Sequence, residues 1–165
     1  FVRPGLRDRD GWFYADNYQN LGLVETESKI EGAPRELSMW LSEAAHQEDR
    51  PPRLRRHTLR VGGFVSAHAG FAGGEIVTSP VVFEGSELEL NVSTSAAGGV
   101  SVEIQDDRGI PIEGFALSDC NEVFGDSLER TVTWGDGRDL DALAGQPVRL
   151  RFLLKDADLY SLRFK

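Results

Sequence analysis

The chain has 165 residues, 40% apolar and 27% charged, enough to bury a real core in one globular domain or two small ones. Its formal charge of −9 is unevenly spread: residues 1–60 carry ten basic and ten acidic side chains, residues 61–165 eight and seventeen, so the excess acid sits in the second part. That sign argues against phosphate backbones and anionic membranes as partners, because the cluster Arg53, Arg55, Arg56 and Arg60 is too short and too well balanced for a nucleic-acid footprint.

In chain order, the first residues combine charges with Pro4 where a signal peptide needs an apolar stretch, and no later run approaches the roughly 18 to 20 apolar residues of a membrane span. The numbered chain is therefore expected neither to cross a membrane nor to carry its own export signal. Segments 11–18, 21–26, 36–43 and 54–61 then form four short candidate strands. They are separated by Gln19-Asn20, by residues 27–35 and by a stretch containing Pro51-Pro52, so a meander or one propeller blade is expected over residues 1–60. Segment 36–47 also fits a helix, since Leu37, Trp40, Leu41 and Ala44 fall at i, i+3, i+4 and i+7; period alone leaves both readings open.

From residue 61 the strand signature is clearer. Leu88, Leu90, Val92 and Thr94 alternate with Glu87, Glu89, Asn91 and Ser93, a half-buried strand with one wet side. Val100, Val102 and Ile104 repeat the pattern and are closed by Asp106-Asp107-Arg108-Gly109, a turn whose glycine can supply a positive φ. Val148, Leu150, Phe152 and Leu154 alternate with arginines. Lys155-Asp156-Ala157-Asp158 is expected to turn the chain into residues 159–164, making a terminal hairpin. Strand, turn, strand at short spacing predicts an all-β fold: an antiparallel β-sandwich, jelly-roll-like, over residues 61–165, preceded by the short β-meander.

Motifs for chemistry are sparse. Asp136, Asp139 and Asp141, and the pair Asp156 and Asp158, lie in turn-like stretches where aspartate caps backbone amides; a glycosidase would instead need two carboxyls across a sugar. Asp106-Asp107 or Asp156-x-Asp158 could lend two oxygens to calcium, but neither fits the loop spacing of an EF-hand, so no cofactor is expected. His46, His57 and His68 show no zinc spacing, no Gly-x-Ser-x-Gly elbow occurs, and residues 70–74 lack the Lys-Ser/Thr of a phosphate loop and read as a connection between strands. Cys120 is the only cysteine, which excludes an intrachain disulfide and a thiolate-rich zinc site; with no base beside it, it reads as a small buried residue.

Leu128-Glu-Arg-Thr-Val-Thr-Trp134 places Arg130 on the face of Leu128, Val132 and Trp134, and a charge on an apolar face must find a partner. Either Arg130 forms an ion pair or backbone clamp at the sheet edge, or the segment lines a groove. In the groove, Trp134 offers a ring face to a sugar while Arg130 and the nearby acids Glu122 and Asp126 bond its hydroxyls. Trp12 and Tyr18 are further candidate platforms.

The stretches Leu54-Arg-Arg-His-Thr-Leu-Arg-Val-Gly-Gly-Phe-Val-Ser66, Gly73-Gly-Glu-Ile-Val-Thr-Ser-Pro80, Ser93-Thr-Ser-Ala-Ala-Gly98, Val102-Glu-Ile-Gln-Asp106, Pro111-Ile-Glu-Gly-Phe115, Ser118-Asp-Cys120 and Leu150-Arg-Phe-Leu-Leu-Lys-Asp-Ala-Asp-Leu-Tyr160 carry a family resemblance. They resemble the C-terminal region of bacterial, planctomycete-type glycoside hydrolases similar to family 32, the invertase and fructanase group with a five-bladed propeller. The resemblance implies that residues 1–60 end the propeller, that residues 61–165 are the β-sandwich after it, and that the parent works in the periplasm or outside the cell. It carries over no catalytic residue, since the Trp-Met-Asn-Asp-Pro-Asn, Arg-Asp-Pro and Glu-Cys motifs are missing from this sequence. The expected function is a non-catalytic accessory domain bracing an upstream propeller of the same parent chain. The alternatives are a carbohydrate-binding module contacting polysaccharide, and a small complete hydrolase with two carboxyls in one cleft.

Overall fold

A computed structural model describes residue 2 and residues 17–20, 22–45 and 51–165 of the chain. The fold is all-β and sandwich-like, with antiparallel pairing throughout its two sheets, and the chain divides into the units Phe1–Val61 and Gly62–Lys165. No helix among the described residues is long and apolar enough to cross a membrane.

In the first unit, β1 (Val24–Thr26), β2 (Glu36–Glu43) and β3 (Arg53–Arg60) form a meander in sequence order. Segment 36–43 is thus a strand, although its apolar spacing also fits a helix. Eight consecutive residues of β2 pair with β3 while Thr26, Glu25 and Val24 pair on the other edge, and these ladders bond backbone groups that a short isolated helix would leave marginal. Met39 and Leu41 are buried on one face. On the other, the Arg56 guanidinium donates to Ser38 Oγ (2.7 Å), Thr26 Oγ1 (2.8 Å) and Glu36 Oε1 (2.8 Å), tying all three strands together. Of the expected first strand, only Asn17 and Tyr18 are described. The Asn17 N–H donates to Ser42 O, and Gln19 bridges Leu41.

The second unit is one five-stranded sheet. β6 (Leu88–Gln105) and β8 (Arg149–Phe164) form its centre, and β7 (Asp126–Val132) lies on the far edge of β6. β4 (Ala67–Ala69) and β5 (Gly74–Val77) follow one another along the far edge of β8. The expected terminal hairpin is not formed. Segments 148–154 and 159–164 are one strand, running through Lys155, Asp156, Ala157 and Asp158 without reversing.

The cause is a bulge. Between the pairs Thr94–Ala157 and Gly99–Lys155, β6 has four residues and β8 has one, Asp156, in the left-handed region at φ 43°. A single inserted residue reverses which face the side chains meet, so Leu150, Phe152 and Leu154 point inward before it and Ala157 and Leu159 after it. Read as a simple alternation, that reversal looks like a turn. Opposite it, residues 70–73 connect β4 to β5, and the Asp156 N–H donates to Gly70 O (3.0 Å). The bulge therefore continues across the sheet as a line of bending.

The inner face of the bent sheet is apolar: Leu88, Leu90, Val92, Val100, Val102 and Ile104 on β6 are fully buried. Connections between strands cover it with Phe83, Phe115, Trp134, Leu140 and Leu143. The outer face carries Glu89, Asn91, Glu103 and Gln105, which are also buried. Each of the two glutamates faces an arginine on β8, Glu89 opposite Arg163 and Glu103 opposite Arg151.

Candidate functional site

In the segment 128–134, Arg130 and Val132 stand opposite the inward-facing Leu90 and Leu88, while Leu128 falls within a register shift. Trp134 is 1% exposed. Its indole N–H donates to Val102 O (2.8 Å), and its ring meets Phe115 edge to face, with centroids 5.4 Å apart. Trp134 is therefore a core residue, with no ring face offered to a sugar, and the expected platform is corrected on that ground.

The other expected binders are not gathered around it. Arg130 lies opposite Leu90 on the inner side of the edge strand, while Asp126 lies opposite Ser93. The register shift between Leu90 and Val92 puts these two side chains on opposite faces, because Val92 points inward and Ser93 does not. The Glu122 carboxylate packs against the Cα of Gly99, one bulge away from Arg130. Tyr18 is 52% exposed in the first unit. Trp12 lies outside the described residues.

Two arrangements resemble catalytic groups without having their geometry. Asp158 Oδ1 accepts a hydrogen bond from Ser66 Oγ (2.7 Å) and shares another with His68 Nδ1 (3.1 Å). The hydroxyl thus bonds the carboxylate rather than the imidazole, so these three residues do not form the Ser–His–Asp order of a catalytic triad. Cys120 Sγ accepts the Val102 N–H (3.2 Å), and burial pushes its pKa up, aided by the charge of Glu122. A thiol held that way is a poor nucleophile.

Among the described residues, no group of three or more His, Cys, Asp or Glu side chains is arranged to hold a metal ion. Asp106 caps its own turn, accepting the N–H groups of Arg108 and Ile110, with Gly109 at φ 86°. One of the two oxygens Asp158 could offer a cation, Oδ1, is engaged by Ser66 and His68.

What the covering loops do form is an open depression of about 470 Å³ lined by Gly114, Asp119, Trp134, Gly135, Asp136, Gly137 and Arg138. Its walls are fixed. The Gly135 N–H donates to Asp119 O (2.8 Å), Asn121 Nδ2 donates to Gly135 O (3.0 Å), and Gly137 and Arg138 both donate to Trp134 O (3.0 Å each). Asp119 Oδ2 accepts the Ala116 N–H. The Arg138 guanidinium lies over the Phe115 ring, 5.6 Å from its centroid, and against the Cα of Gly114, where a Cβ would stand 2.6 Å from Cζ. Local spacing here points to a turn and to no site, because the contact between Arg138 and Phe115 follows no strand or helix period.

A second, smaller depression, about 210 Å³, lies in the first unit beside Ser28, Lys29, Glu36 and Arg56. The Arg56 guanidinium is engaged through Nε and Nη2 by the strands it ties. Compared with protein-family models, curated proteins and solved structures, the chain matches none.

Proposed function

We propose that the chain is a non-catalytic all-β accessory region of a larger carbohydrate-active protein working outside the cytoplasm, and that its second unit braces an upstream domain of the same parent. The observation that carries this reading is the use to which the buried carboxylates are put: Glu89 and Glu103 each pair with the arginine that faces them on the neighbouring strand. A glycosidase acid needs a raised pKa. Here burial pushes Glu103 and Glu43 up, but Gln105, the Leu117 N–H and Arg151 around Glu103, and Arg55 and Arg53 around Glu43, more than offset it and hold both below the ordinary value. Arg163 does the same for Glu89. These acids serve cross-strand pairing, which stabilises a scaffold. The family resemblance of the sequence supplies the carbohydrate context and the propeller as partner.

Two measurements test it. The chain should turn over no aryl glycoside in a broad panel. The parent protein should also melt several degrees lower when residues 62–165 are removed. Turnover by the chain, or an unchanged melting temperature, would sink the reading.

A second reading, a polysaccharide-binding module, is favoured by one observation, the open depression at Arg138 with a guanidinium and carboxylates on the same rim. Retardation in glycan-containing affinity gels tests it.

A further inference from the structure

We infer that the depression between residues 114–119 and 135–138 is a binding site for neutral polyhydroxyl ligands, with Arg138 as donor and Asp136 and Asp119 as acceptors for adjacent hydroxyls of one sugar chain. The inference rests on the polysaccharide-binding reading and gives it a location and a ligand class.

Arg138 is exposed on the rim, and its guanidinium is not spent on other side chains. Its guanidinium lies 5.6 Å from the centroid of the Phe115 ring and against the bare Cα of Gly114. Among the described residues, its N–H groups donate to no hydrogen bond and to no ion pair. Elsewhere, Arg56, Arg151 and Arg163 each spend theirs on carboxylates or hydroxyls. A pre-positioned donor set loses little entropy when a ligand accepts from it. Asp136 likewise makes no hydrogen bond among the described residues, and Asp119 uses only Oδ2.

Charge selects the ligand class. Two carboxylates against one guanidinium, in a unit that carries the chain's excess acid, disfavour an incoming carboxylate or sulfate. A vicinal diol suits the rim better, because each hydroxyl can accept from the guanidinium and donate to an aspartate. Gly135 and Gly137, at φ 52° and 94°, leave the floor open, since a Cβ at either would meet nothing within 4 Å. The volume falls in the range of about 300 to 1,000 Å³ usual for small-ligand sites. With Phe115 and Trp134 buried, no aromatic face is presented, so a weak, hydroxyl-led contact is expected.

The test is an amide NMR titration of the whole chain with a neutral fructo-oligosaccharide, a neutral β-glucan oligosaccharide, oligogalacturonate and a sulfated dextran oligosaccharide, run beside affinity gels of the corresponding polymers. A neutral probe should shift the Gly135 and Gly137 amides saturably. Arg138→Ala should weaken this about tenfold, and Asp136→Asn less, with the remaining spectrum unchanged. Tighter binding of the charged probes would overturn the ligand class. Gel retardation with unmoved loop amides, or with unchanged affinity in Arg138→Ala, would overturn the site while leaving polysaccharide binding standing. No retardation and no shift with any probe would overturn both.

Discussion

Glu103 and Arg151 stand directly opposite each other across β6 and β8, and the Arg151 guanidinium bridges from Glu103 Oε1 (3.3 Å) to Glu75 Oε2 (2.7 Å) on β5. Three strands are thereby tied on the polar face at the height where Val102, Ile104, Leu150 and Phe152 seal the apolar one.

This pairing sets the response to acid. Glu103, Glu89 and Glu43 have folded pKa values below the ordinary one, so the stability they contribute is present above the unfolded carboxyl pKa, about 4.3, and is lost as pH falls through the lowered folded values. Arg151 and Arg163 are shifted up, so their contribution is lost only in strong alkali. The melting temperature should be flat from pH 6 to 8 and fall below about pH 4. Glu89→Gln should make that acid limb shallower, and a limb identical to that of the unaltered chain would refute the assignment.

Among the described residues Trp134 is the largest fully buried side chain, and its indole N–H bonds a buried carbonyl. Trp134→Phe should cost about 1 to 3 kcal/mol, by leaving Val102 O unpaired, and Trp134→Ala about 3 to 5 kcal/mol. Urea denaturation measures both. A loss below about 0.5 kcal/mol on truncation would mean that the ring does not hold the loops to the sheet.

The bulge offers a sharper comparison. A Cβ on Gly98 would run into the backbone carbonyls of Lys155 and Asp156, which cannot step aside as a side chain can. Gly98→Ala should therefore cost about 1 to 3 kcal/mol. Asp156→Gly, which relieves a left-handed residue, should be neutral or stabilising by up to about 1 kcal/mol, whereas Asp156→Val should destabilise. Equal effects from Gly98→Ala and from Gly70→Ala, where a Cβ would meet nothing and no positive φ is needed, would show that the carbonyl contact is not what matters.

Cys120 should label with iodoacetamide at pH 8 far more slowly than a free thiol, because its pKa is raised, and at the full rate in urea. Rapid labelling of the folded chain would reopen a nucleophilic role.

Much of the sheet was legible because its strands obey period two: Leu88, Leu90 and Val92, then Val100, Val102 and Ile104, all face inward as they alternate. Their continuity was not, since residues 95–98 and Asp156 break the period at one height, and a broken period reads as a loop. The parity of Trp134 was visible too, but alternation tells inside from outside only relative to a sheet; it does not say that loops will close over that face. The depression at Arg138 was illegible for a different reason. Its rim joins two separate connections, and nothing local to Gly135-Asp-Gly-Arg138 announces Phe115 or Asp119.

The central strand pair also has a kinetic meaning. Its two partners are remote in sequence even where they are nearest: Gln105 meets Arg149 only after a loop of about 44 residues has closed, and every further rung towards Leu88 and Phe164 encloses more chain. Folding of the second unit should therefore be slow for its size, waiting on one entropic closure and then zipping outward until the zipper stalls at Asp156, where four residues on one side must be stored against one on the other.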